Sequence, residues 1–215
     1  KEKIKGIYHR VDTDLYMPTT DNLNHEPKNL ILAVGQLKEK KGFTYLLQAC
    51  QNLYQDDINF KCHIVGDGPL KDELEKQIHR LELERIVELH GALPHEQVVE
   101  LYSQASIFVL PAVTSSDGDR DGIPNVILEA LAMQIPVVST HHSGIPEVIS
   151  NQENGLLVEA KDVQALTDAL QTLLEQPALR KRLGISGRNI VIEKFDLNRN
   201  IGLLYQEFLK VVEVN

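Results

Sequence analysis

The sequence predicts an α/β protein, an open Rossmann-like parallel sheet with helices on both faces. Three observations carry that reading. Short apolar runs alternate with amphipathic segments from about Leu30 onward, the order that a parallel sheet with crossover helices requires. Most of these runs are continuous in hydrophobicity, as strands buried on both faces are. The glycine-rich connections follow the runs, and the connections on the opposite edge carry fewer special residues.

Taken in order, the strand candidates are Leu30 to Val34, Lys61 to Val65, Val87 to Leu89, Ile107 to Leu110, Pro136 to Ser139 and Leu156 to Val158. Helical spacing of apolar residues marks Phe43 to Tyr54, Lys71 to Leu81, Glu96 to Gln104, Val126 to Met133 and Val163 to Leu174, the last behind Asp162 as an N-cap. Residues 177–213 read as helices only. The final one, Asn198 to Val212, follows Asp196 as a second cap, and its stripe of Ile201, Leu204, Tyr205, Phe208 and Leu209 must pack on something. Residues 1–28, with Asp12, Asp14, Pro18, Thr19, Thr20 and Asn22, read as a turn-rich lead-in. With no internal repeat or low-complexity tract, residues 1–215 are read as a single domain able to bury a core without staples.

Composition narrows the function. Hydrophobic residues at 42% and charged residues at 25% are ordinary globular values, which excludes a disordered or fibrous chain. A net charge of −9 leaves no basic field to gather nucleic acid, so an anionic ligand needs a local site. Two cysteines, Cys50 and Cys62, without C-x-x-C spacing argue against a disulfide framework or zinc knuckle. No apolar run approaches the roughly 18 residues of a membrane span. The expected location is the cytoplasm, with docking at the inner membrane face through another part left open.

The unusual residues converge on the edge where the strands end, which is where open α/β sheets bind ligands. They are Gly35 and Gln36 with Lys41 and Gly42, then Gly66-Asp67-Gly68-Pro69, His90-Gly91, the long loop Pro111 to Gly122, and Thr140 to Glu147. Neither a G-x-G-x-x-G nor a P-loop occurs, so a redox cofactor or P-loop nucleotide is not favoured. The most informative stretch is Asp121-Gly122-Ile123-Pro124-Asn125 with the apolar run to Ala132, in which Glu129 is the only ionisable residue. An unpaired carboxylate in a buried helix costs several kcal/mol, so Glu129 must find donors, either a core Arg or Lys or a ligand's hydroxyls.

Asp121 and Glu129 are eight positions apart, about 12 Å along a helix axis. That is too far for a hydrolase pair and suits two ends of an extended ligand. Between them, the N–H groups of Gly122, Ile123 and Asn125 point to a helix N-terminus that favours phosphate, while Pro124 cannot donate. Lys41, with Lys38 and Lys40 as lesser candidates, can set an ammonium on the same phosphates. Hydroxyl-bearing ends with phosphates between them describe a nucleotide-sugar.

In these pieces, and in Asp117-Gly118-Asp119, Ser143-Gly144-Ile145-Pro146-Glu147 and Asn154 to Val158, the chain resembles the C-terminal, donor-binding domain of the family-four retaining glycosyltransferases of the GT-B fold. The resemblance covers about the whole chain. It implies that Lys41 binds the donor diphosphate, Asp121 contacts the transferred sugar and Glu129 holds the ribose hydroxyls, the three forming the catalytic set. It also implies that Gly35, Gln36, Gly66, Gly68, His90, Gly91, Gly122, Ile123, Pro124 and Asn125 line the donor pocket, with His90 to Pro94 near a uracil or guanine base. The family pattern has Arg where Gln36 stands and Glu where Asp121 stands.

The resemblance further implies an N-terminal acceptor domain, outside this chain, that would present a glycan or lipid-linked acceptor in polysaccharide or glycoconjugate synthesis. The expected reaction is retaining glycosyl transfer without a cofactor or required metal. Asp117 and Asp119 resemble a D-x-D metal site but have no third acid in register. His141 and His142 are expected as one capping and one solvent-facing side chain. Alternative readings are a non-catalytic nucleotide-sugar-binding module and a GT-B sugar-nucleotide epimerase.

Overall fold

The computed structural model describes residues 11–18 and 29–213. Its strands are β1 (Leu30–Val34), β2 (Lys61–Val65), β3 (Val87–Gly91), β4 (Ile107–Leu110), β5 (Val137–Thr140) and β6 (Leu156–Val158). They form one six-stranded sheet in the order β3-β2-β1-β4-β5-β6, every neighbouring pair parallel. The sequence places β1, β2, β4 and β6 to the residue. β5 begins one residue later than expected, and β3 runs two residues further, so His90 and Gly91 belong to the strand and not to the loop after it.

The helices are α1 (Phe43–Gln55), α2 (Lys71–Arg80), α3 (His95–Gln104), α4 (Asn125–Ala132), α5 (Val163–Glu175), α6 (Pro177–Lys194) and α7 (Leu197–Glu213). The chain steps outward from β1 to β3, crosses back to β4 and steps outward again to β6. Because such crossovers are right-handed, α1 and α2 cover one face and α3 and α4 the other. α5 then packs on α1, and α6 on α4. The central strands are dry: Ile31, Leu32, Ala33 and Ile107 to Leu110 have no exposed surface. Cys50 of α1 and Cys62 of β2 lie buried beside one another as free thiols.

Both expected caps are made. Asp162 Oδ1 accepts the N–H of Ala165 at 2.9 Å, and Asp196 Oδ1 accepts that of Arg199 at 2.8 Å, each filling a helix-start donor that would otherwise be unpaired. At the other end of α5, the buried Arg180 donates to the carbonyls of Leu173 and Leu174 at 3.0 and 3.1 Å.

The lead-in turns as expected at residues 12–16, where Asp12 Oδ1 accepts the N–H groups of Asp14 and Leu15. Thr19, Thr20 and Asn22 lie outside the described residues. Val11 bridges to Asp196, and Arg188 of α6 donates to the carbonyls of Tyr16 and Ala132. These bonds hold the lead-in against the end of α4.

Among the described residues the apolar stripe of α7 finds little cover: Tyr205 is 63% and Phe208 62% exposed, with Ile201 and Leu209 also exposed. Periodicity identified the helix and its apolar face, but what that face meets is not a local property. Among the described residues no helix is long and apolar enough to cross a membrane.

Candidate functional site

The sheet order reverses between β1 and β4, the switch point at which the following loops part and leave a crevice. The loop after β1 and the loop after β4 line it and are laced together. Val113 donates its N–H to Lys40 O at 2.9 Å, and Gly42, left-handed at φ 72°, approaches Pro111 so closely that a Cβ would lie 1.8 Å from its carbonyl oxygen. Only glycine fits there. Along the same rim, Gly35 donates to Val65 O at 2.9 Å and Gly66 to Gly91 O at 2.8 Å, which brings Gly35, Gly66 and Gly91 together. Gly68 packs against the Leu37 backbone, and Gln36 is exposed.

The charged centre of the crevice joins its two walls. Lys41 Nζ lies 2.6 Å from Asp121 Oδ2, and Lys40 Nζ lies 3.1 Å from Asp121 Oδ1 and 2.9 Å from Asp119 Oδ2. The stem of Lys41 runs over Gly35. Burial pushes the Asp121 carboxyl up, but the hydrogen bonds and charges of Lys41 and Lys40 outweigh it and hold the carboxyl below its usual range. The hydrogen bonds to Asp119 and then Asp121 raise the Lys40 ammonium. Two cations therefore stand at the switch point, where sequence reasoning favoured Lys41 alone.

Asp117 and Asp119 do not act as a pair. Asp117 Oδ1 accepts from Ser115 Oγ at 2.6 Å and from the N–H of Asp119 at 3.0 Å, while the Asp119 carboxylate is held by Lys40. The loop ends at α4, whose N-terminus opens onto the crevice. The N–H groups of Gly122, Ile123 and Asn125 make no hydrogen bond among the described residues, and Pro124, at the cap position with extended ψ 127°, sets the entry angle. These donors suit an anion.

Glu129 lies on α4, half-buried, and pairs with neither Arg nor Lys among the described residues. Its Oε2 accepts the Tyr102 hydroxyl at 3.0 Å, and the Tyr16 hydroxyl faces the same carboxylate. The three aromatic rings nest together: Tyr16 meets Tyr102 at 6.0 Å and His95 at 5.8 Å between centroids, both edge to face. Burial raises the Glu129 carboxyl despite the two hydroxyls and His95, and burial followed by the charge of Glu129 raises both tyrosines. Sequence reasoning missed Tyr16 and Tyr102. They stand 113 and 27 positions before Glu129, and each reads locally as an ordinary apolar residue.

The loop after β5 closes against this wall, with Gly144 in contact with the Gly122–Ile123 backbone. His141 is exposed as expected for one of the pair. His142 is no side-chain cap: only its backbone carbonyl accepts, from Ile145, and its Nε2 is shielded without a partner among the described residues. Burial, then Arg120, lowers the His142 imidazole. His90 points from β3 toward His63 and Glu88.

The doubly wound sheet, with Lys40 and Lys41 paired to Asp121 at its switch point, defines an α/β protein of the Rossmann-like class. The family model of glycosyl transferases group 1 matches residues 20–190, and the chain belongs to that family. It is 38% identical over 170 residues, 79% of this chain, to the putative colanic acid biosynthesis glycosyltransferase WcaL of Escherichia coli, covering 42% of that protein. It is 36% identical over 212 residues to the amylovoran biosynthesis glycosyltransferase AmsK of Erwinia amylovora, 99% of this chain and 51% of that one. The chain thus spans about half the length of these curated relatives. Its fold is that of the Anabaena protein HepE, crystallised with UDP, at a TM-score of 0.83 and 22% identity over 96% of this chain and 57% of that one, the Rossmann-like half of a GT-B fold.

Proposed function

We propose that this chain supplies the donor site of a retaining glycosyltransferase, binding a nucleotide-sugar across the switch point. The observation that carries the reading is the ion pair between Lys41 and Asp121, made across the crevice from loops 80 residues apart. Each partner is poised to change hands. Lys41, with Lys40, turns to the diphosphate, joined by the unpaired N–H groups at the start of α4; Asp121, released, accepts from hydroxyls of the sugar. Glu129 accepts from the ribose hydroxyls with Tyr102 and Tyr16 holding its carboxylate in place. Two ammonium groups also offset the missing cation at Gln36.

The chemical task is to stabilise negative charge growing on the departing diphosphate as the anomeric carbon becomes oxocarbenium-like. Fixed N–H donors and lysines do this by electrostatic preorganisation. The carboxylates of Asp117 and Asp119 are occupied by Ser115 and Lys40, which favours a mechanism without a required divalent ion. The UDP bound by HepE supports a sugar nucleotide as donor, and the likeness to WcaL and AmsK supports polysaccharide biosynthesis as context. The acceptor hydroxyl, of a glycan or lipid-linked sugar, comes from a second domain.

The test is a thermal-shift panel of UDP-, GDP- and ADP-sugars at millimolar concentration, where a ligand of the native state raises the melting point by mass action. At least one nucleotide should raise it, Glu129→Ala should abolish the rise, and Asp121→Ala should weaken sugar nucleotides more than bare nucleotides. No shift from any nucleotide, or equal losses in both variants, would overturn the reading. In the longer enzyme, Lys41→Ala should lower kcat roughly 100- to 1000-fold, the usual cost of one transition-state donor.

A further inference from the structure

At the β2–β3 edge of the sheet, His90, which the resemblance sets near the base, joins His63 and Glu88 in a cluster to which the proposed donor site assigns no metal. His63 and Glu88 stand opposite each other in the parallel register, and His90 follows Glu88 by two residues, so all three side chains project from one face. Cys62, beside His63, meets Cys50 of α1, so this is the face opposite α1. Glu88 stands between the two imidazoles: Oε2 lies 3.7 Å from His63 Nε2 and Oε1 3.5 Å from His90 Nδ1. The rings lie 4.7 Å apart between centroids.

These separations are too long for hydrogen bonds. They match the spacing of about 3.4 Å between ligands that each sit about 2.1 Å from a tetrahedral ion. The three ligand atoms all fall within 4.8 Å of one another. The outer nitrogens, His63 Nδ1 and His90 Nε2, are shielded and unpartnered among the described residues, so each ring offers an external ligand only the nitrogen that faces Glu88. The Glu88 side chain, 64% exposed, is free to turn one oxygen inward and leaves a fourth position for water.

We propose that His63, Glu88 and His90 bind a divalent transition metal of the Zn2+ class, one ion per chain. Two imidazoles and one carboxylate suit Zn2+, Co2+ or Ni2+ and not the oxygen-preferring Mg2+ or Ca2+. β3 is an edge strand, and the ion clamps it to β2 just below the rim where Gly91 meets Gly66. His90 aside, the site shares no residue with the proposed donor set, and metal binding is read without a nucleotide.

The test is calorimetric titration of the 215-residue chain, stripped with EDTA and desalted, with ZnCl2. One equivalent should bind, MgCl2 should give no saturable heat, and Co2+ should give the visible absorption of a four-coordinate ion. His63→Ala and His90→Ala should each weaken Zn2+ at least about tenfold, whereas His79→Ala, which removes the separate surface contact with Glu84, should not. Circular dichroism checks folding, and Glu88→Gln, a change at an exposed side chain, preserves the test if a histidine variant unfolds. Absence of saturable Zn2+ binding, or undiminished binding in His63→Ala/His90→Ala or in Glu88→Gln, overturns the proposal.

Discussion

At the scale of residues, the two acids of the crevice respond oppositely to their surroundings. Glu129 has its carboxyl raised, mainly by burial, so its ionised form costs stability once pH exceeds the unfolded value of about 4.3. Glu129→Gln should raise the urea midpoint of the ligand-free chain at pH 7, and the gain should fade as pH falls through the raised folded value and be gone below the unfolded one. Asp121 has its carboxyl lowered by Lys41 and Lys40 in spite of burial. Its contribution is present above the unfolded value of about 3.9 and is lost as pH falls through the lower folded value. Asp121→Asn should therefore lower the midpoint at pH 7, with the deficit vanishing in acid. Urea curves across pH check both, and like signs for the two variants would contradict the assignments. The Tyr102 hydroxyl belongs to the same balance: Tyr102→Phe leaves a half-buried carboxylate short of a donor, an expected loss of about 1–3 kcal/mol.

At the scale of elements, the loops after β1 and β4 share one constraint. Gly42 allows the first to turn at left-handed φ and the Pro111 carbonyl to sit against it. Gly42→Ala strains the backbone by roughly 1–3 kcal/mol, and the clash with Pro111 must also push the two loops apart. The variant should lose stability and lose nucleotide-induced thermal shift together, because Lys40 and Lys41 leave Asp121 when the walls separate. Gly118, also at positive φ but with open space where a Cβ would go, is the control: Gly118→Ala carries the backbone strain without the displaced wall and should keep the shift.

At the scale of the whole molecule, α7 presents an apolar stripe that is exposed among the described residues. Phe208 is 62% exposed among the described residues, so Phe208→Ser should change stability by less than about 0.5 kcal/mol. Removing exposed apolar surface should also reduce self-association, measured by light scattering. A large loss of stability would mean that the helix packs differently from the arrangement described.

How much of this was legible beforehand follows from the range of the interactions involved. Strand and helix positions, the caps Asp162 and Asp196 and the glycine rim were readable, because continuous apolar runs, helical periodicity and turn chemistry act over a few residues. The buried acid Glu129 and the N–H donors before α4 were readable for the same reason: a lone charge in an apolar helix and a proline at its start are local signals. Partners were not. That Glu129 is held by Tyr102 and Tyr16 and not by a cation, that Lys40 joins Lys41 on Asp121, that β3 extends to bring His90 beside His63 and Glu88, and that the stripe of α7 stays open all depend on which distant segments the crossovers bring side by side. The sequence by itself determined the order of elements and the edge on which the chemistry gathers; the tertiary structure alone decided which side chains face one another there, because sheet order and crossover hand place residues tens of positions apart within hydrogen-bonding distance.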